Sequence, residues 1–175
     1  IGGNTHLHLD GGGVRGVGEL SRAQADEYLR AVPRADGLDL VFVSHLERIK
    51  EDLKYVSNEY TLADLARLGG NGLLFGNGQE HRHNLGSGGE GYGHVMFLNI
   101  RELVRPVSVG PGITGGGYDW PPLRQGITRV RRQAATVIWC HNTTGFEDVP
   151  NWLSGLIDAQ NIFDGGNAGS YADSF

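Results

Sequence analysis

The stretch LDLVFVSHL, residues 38–46, decides how the chain folds. Its apolar side chains follow one another almost without a break. An extended segment of this kind is buried on both faces, which is the pattern of a strand inside a parallel sheet. Further strand-like runs stand at THLHL (5–9), GLLFGN (72–77), GHVMFLNI (93–100), ATVIWCHN (135–142) and DAQNIFDG (158–165). Helical patterns lie between them. SRAQADEYLRAV opens with Ser21 and Gln24 in capping-box spacing. TLADLARLGG opens on Thr61, carries Asp64 and stops at Gly69. PPLRQGITRVRRQA starts at Pro122 and sets Leu123, Ile127, Val130 and Ala134 on one stripe. Strands alternating with helices predict an α/β fold built on a parallel sheet or barrel. No linker divides the chain, so residues 1–175 read as a single domain.

The composition, 39% hydrophobic and 20% charged, is that of an ordinary globular protein. A net charge of −5 argues against a nucleic-acid partner and leaves a small molecule as the expected one. No apolar run approaches the roughly 18 residues of a membrane span. The single cysteine, Cys140, cannot form an internal disulfide, so the sequence leaves localisation open. Glycine is the outlier, with 29 residues clustered at 11–18, 69–78, 86–93, 110–117 and 165–169, between the apolar runs. These clusters read as loops. One of them, GGGVRG (11–16), matches a dinucleotide-binding pattern. The strand before it carries His6, His8 and Asp10, where a nucleotide-binding strand would be apolar, so it reads as a strand-to-helix loop.

The histidines carry the chemistry. In THLHLD, His6 and His8 share one face of a strand and Leu7 and Leu9 the other. His45 and His141 end apolar runs, His81 and His83 follow one, and His94 opens another. Ligands of α/β sheets and barrels bind where strands end, so these side chains are placed to converge. Imidazole with carboxylate is a ligand set for zinc, manganese or iron, and Glu80 and Asp10 supply carboxylates. The absence of a cysteine cluster excludes a structural thiolate site and favours a catalytic one with open coordination positions. His81 and His83, in the polar QEHRHN, either ligate, orient Glu80 or face substrate. Asp10 either ligates or starts a turn. Arg82, Arg48 and Asn142 flank ligand positions and suit an anionic substrate or the support of ligands. The glycine-rich 86–93 segment, between Glu80 and His94, reads as a cover over the site or as a long hairpin loop.

Taken in order, THLHLD, VFVSHLE, LFGNGQEHRHN, GYGHVMFLNI and VIWCHN resemble the successive ligand motifs of the polymerase-and-histidinol-phosphatase (PHP) metal-dependent hydrolases. Within them, the sequence is most similar to the CehA/McbA-type branch, which includes carbamate-cleaving enzymes. The resemblance covers nearly the whole chain. It implies a distorted (β/α)7-type barrel of mainly parallel strands. It implies two or three divalent ions: His6, His8 and Glu80 on one, Glu80 bridging to a second held by His94 and His141, and His45 on a third or on the substrate. Ser44 stands where many members have aspartate, and the family's last motif, a strand-end aspartate, is not in these residues. Ser170 and Asp173 in GSYADSF have capping-box spacing and read as the first turn of a helix. The sequence is therefore expected to be a fragment truncated at its C-terminus, with an incomplete barrel, weak metal binding and little activity. The implied function is hydrolysis of a phosphoester, carbamate, amide or ester by metal-activated water. His45 is the first expectation for the leaving-group proton, with His81 or His83 behind it. Two readings compete. An amidohydrolase-type barrel also uses HxH but often needs a carboxylated mid-barrel lysine, and the only lysines, Lys50 and Lys54, both follow the second strand-like run. A non-catalytic metal- or carbohydrate-binding module would use only some of these ligands.

Overall fold

The computed structural model describes residues 1–10, 20–47, 54–83, 92–110, 120–140 and 147–161. Among the described residues, seven strands form one mixed sheet. Strand β1 (Gly3–Leu7) pairs in parallel with β2 (Leu40–His45), and β2 in parallel with β3 (Leu74–His83). Strand β4 (Gly93–Leu98) runs antiparallel to β3 and to β6 (Thr136–Trp139), and β6 pairs in parallel with β7 (Ala159–Gln160). The short β5 (Ser108–Val109) joins the far end of β3. The sheet is therefore less uniformly parallel than the sequence predicts. The reason is chain length. Only residues 84–92 separate β3 from β4, and a parallel crossover needs about a dozen residues or more.

Among the described residues, four α-helices accompany the sheet: α1 (Arg22–Ala35), α2 (Leu62–Leu68), α3 (Leu123–Arg131) and α4 (Asp148–Leu153). The two predicted capping boxes form. Ser21 and Gln24 cap α1, and Thr61 and Asp64 cap α2, each exchanging side-chain and backbone hydrogen bonds. The stripe of α3 is shorter than predicted. Leu123, Ile127 and Val130 are buried, but the helix ends at Arg131 and Ala134 has a left-handed φ of 59°. No helix among the described residues is long and apolar enough to cross a membrane.

The helices cover one face of the sheet in two clusters. Ala25 and Leu29 of α1 and Leu65 and Leu68 of α2 pack with Leu9 and Val43. Leu123, Ile127 and Val130 of α3 pack with Val95, Phe97, Val137 and Trp139. On the other face, Met96, Leu98, Ile138 and Cys140 form a smaller cluster with Phe42. The sheet curls about this second face. Residues of both edge strands, β1 and β7, line one cavity of about 880 Å³ together with Ile138. The result is a mixed α/β half-barrel, compatible with an incomplete barrel, with helices outside and the histidine-bearing strand β1 at one rim.

Candidate metal centre

The site is built on the rim strand and on β3. Leu7 and Leu9 go to the helix-side cluster, so alternation turns His6 and His8 to the concave side. Their rings stand edge to face, with centroids 5.1 Å apart. Glu80, on β3, reaches them. Its Oε2 lies 3.2 Å from His6 Nε2 and 2.8 Å from His8 Nε2. One ligand atom from each of the three residues lies within 4.8 Å of the others, a spacing that could hold a metal ion.

The polarity of His8 is fixed by its other nitrogen. Nδ1 lies 2.9 Å from the Ser44 carbonyl, which only accepts, so Nδ1–H is the donor. Neutral His8 then presents the Nε2 lone pair to a carboxylate oxygen. Two acceptors face each other, and either a proton on His8 or a cation between them resolves the conflict. A histidine that donates its remote N–H to a backbone carbonyl is the arrangement that orients metal-binding imidazoles. The donor set, two imidazole nitrogens and one carboxylate, suits zinc, manganese or iron. The residues present therefore fit a divalent ion.

Glu80 is almost completely buried, at 2% exposure. Burial pushes its carboxyl up, but the hydrogen bonds of His6 and His8 and the charge of Arg82 outweigh it, holding the carboxyl well below the usual range. Arg82 Nη1 donates to Oε1 at 3.0 Å. His94, opposite Arg82 in the β3–β4 register and 1% exposed, has Nδ1 3.7 Å from the same oxygen.

Not every predicted residue joins this group. Strand β3 continues to His83, so Glu80 and Arg82 share one face while His81 and His83 turn to the other. There His81 stacks on Phe97, donates Nδ1–H to the Val107 carbonyl at 2.9 Å and lies edge to face with His83. Burial lowers the His81 imidazole to about 4, with Arg129 adding to the fall against the Val107 bond. Burial and His81 lower His83 to about 3. His45 pairs in register with Gln79, not Glu80. Its Nε2–H donates to Glu47 Oε1 at 2.6 Å, and Arg105 holds Glu47 Oε2 at 3.2 Å. Asp10 is not in the trio. Arg48, His141 and Asn142, with the GGGVRG motif, most of the 86–93 segment and the Ser170 and Asp173 pair, lie outside the described residues. Two contributors have no sequence signal: the Ser44 carbonyl, which any residue supplies, and Tyr55, whose ring lies 5.8 Å from that of His8.

No protein-family model matches the sequence, and no curated protein matches it. Among solved structures the chain is similar to a two-domain protein from Bacteroides vulgatus, described as containing a predicted PHP-like metal-dependent phosphoesterase. The identity is 14% and the TM-score 0.47, over 91% of this chain. The chain spans 42% of that protein's length.

Proposed function

We propose that the protein is a metal-dependent hydrolase of the PHP type, close to its CehA/McbA branch, acting on a phosphoester, carbamate, amide or ester of a small molecule. The observation that carries this reading is the trio itself, His6 Nε2, His8 Nε2 and Glu80 Oε2, on the concave face with His8 oriented by the Ser44 carbonyl. His6, His8 and Glu80 would hold the ion, zinc, manganese or iron. A bound divalent ion would lower the pKa of water toward neutrality and polarise the bond under attack. The chain's own residues do the rest. Ser44 and Glu80 hold the imidazoles in position. The cavity beside β1 admits a small substrate to His6 and His8. Arg82 places a positive charge at the inner oxygen of Glu80, where an anionic group of the substrate is stabilised. His94 is the buried imidazole beside the trio, and we assign it the leaving-group proton in place of His45, His81 and His83, which face elsewhere.

The test is elemental analysis of the purified chain, reloaded with zinc or manganese after chelation, beside a screen of aryl phosphates, carbamates, amides and esters. Metal-dependent turnover of one class, lost on chelation, is expected. Metal uptake without turnover would favour a binding module, and no uptake at all would remove the reading.

A further inference from the structure

Glu80 divides its two oxygens between different partners. Oε2 meets His6 and His8, and Oε1 meets Arg82 Nη1 at 3.0 Å, with His94 Nδ1 at 3.7 Å. A glutamate that bridges two ions gives each ion one oxygen. Here the second oxygen already faces a full positive charge, and a guanidinium does not lose its proton to make room. The charge is also held in place. Arg82 follows Glu80 by two residues on the same strand and the same face, is paired with His94 across β3–β4, and its side chain is only 13% exposed. A divalent ion on Oε1 would sit against that guanidinium in a site shielded from water, where like charges repel most strongly.

We propose that Arg82 takes the place of a second metal ion, so that the centre binds one divalent ion per chain and the guanidinium supplies the second positive charge. The inference rests on the proposed function's reading of the trio as ligands. It departs from the two or three ions that the sequence motifs imply. It assigns Arg82 a part that a fixed planar donor performs well, since its fork of N–H groups can hold Glu80 and an oxygen of the substrate together.

Counting ions tests it. The chain is stripped with chelator, loaded with excess manganese, freed of unbound ion and measured by mass spectrometry of the metal. Electron paramagnetic resonance then distinguishes isolated ions from coupled pairs. One isolated ion is expected in the wild type. Arg82→Met keeps an unbranched stem without the charge, and two ions with a coupled signal are expected there, using Glu80 Oε1 and His94. Arg82→Lys restores the charge and should return the count to one. Circular dichroism checks that each variant folds, and Arg82→Gln replaces the methionine variant if it does not. Two ions in the wild type would overturn the proposal, and so would a count that stays at one when the charge is gone. A wild type that takes up neither manganese nor zinc fails differently: it removes the trio as a ligand set, and the proposed function with it.

Discussion

At the scale of single residues, the site turns on which group each side chain faces. Glu80→Gln keeps the shape but removes the charge that His6, His8 and Arg82 converge on. The expected result is loss of the bound ion and a fall in turnover of at least about 10²-fold. A stability cost of roughly 1–3 kcal/mol should accompany it, because Arg82 loses the carboxylate to which its Nη1 donates. Full metal content and activity in the variant would remove Glu80 from the site. His8 and His94 should separate. His8→Ala is expected to strip the ion. His94→Ala should leave the metal count unchanged and lower kcat, and metal analysis beside kinetics distinguishes the two. The paired histidines were legible in THLHLD because a strand repeats every two residues. The Ser44 carbonyl was not, since a backbone group has no sequence signature. Nor was the direction of His45, which depends on the register of β2 against β3.

At the scale of elements, β3 shows where sequence reading stops. GLLFGN announces a strand, and QEHRHN reads as the polar stretch after it, yet the strand runs to His83. Its polar side chains are buried because other segments satisfy them. Gln79 exchanges two hydrogen bonds with the backbone of Val104, His81 bonds the Val107 carbonyl, and Glu80 has the histidines and Arg82. Apart from Arg82, none of those partners is near in sequence, so the pattern looks like a loop. The same strand explains a glycine inside α3. A Cβ on Gly126 would lie 2.2 Å from His81 Nε2, so the helix reaches the sheet only because that atom is missing. Elsewhere in a helix, glycine to alanine gains stability. Here Gly126→Ala is expected to lose about 1–3 kcal/mol or more through overpacking. Gln125→Ala, on the exposed face of the same helix, should stay within about 0.5 kcal/mol. Urea midpoints of the two variants provide the check, and a stabilised Gly126→Ala would show that α3 does not bear on His81.

At the scale of the whole molecule, the curled sheet separates two histidine environments. The concave side gathers His6, His8 and His94 around one carboxylate, and the helix side buries His81 and His83 among apolar groups. The α/β class and the capped helices were legible from periodicity. The single antiparallel strand was less so, because it follows from a connection too short to cross over. This division sets how stability depends on pH. His81 and His83 are held at about 4 and about 3 in the folded chain, against about 6.5 when unfolded. The unfolded chain therefore binds protons first as pH falls, and stability drops with it. The loss begins near pH 6.5 and continues toward pH 4, at about 1.4 kcal/mol per pH unit for each histidine. Acids held low in the fold, Asp26 and Asp64 among them, lose their contribution only at lower pH. Asp148, held high by burial, works in the opposite direction. His81→Asn removes the His81 contribution and relieves part of the His83 one, since the amide keeps a donor for the Val107 carbonyl and takes up no proton in this range. Urea unfolding of the chelated wild type and variant from pH 7 to pH 4 should give curves that converge as pH falls, the wild type having the steeper slope. Parallel curves would mean that His81 charges as readily in the folded chain as in the unfolded one, and that the helix-side face is open to water.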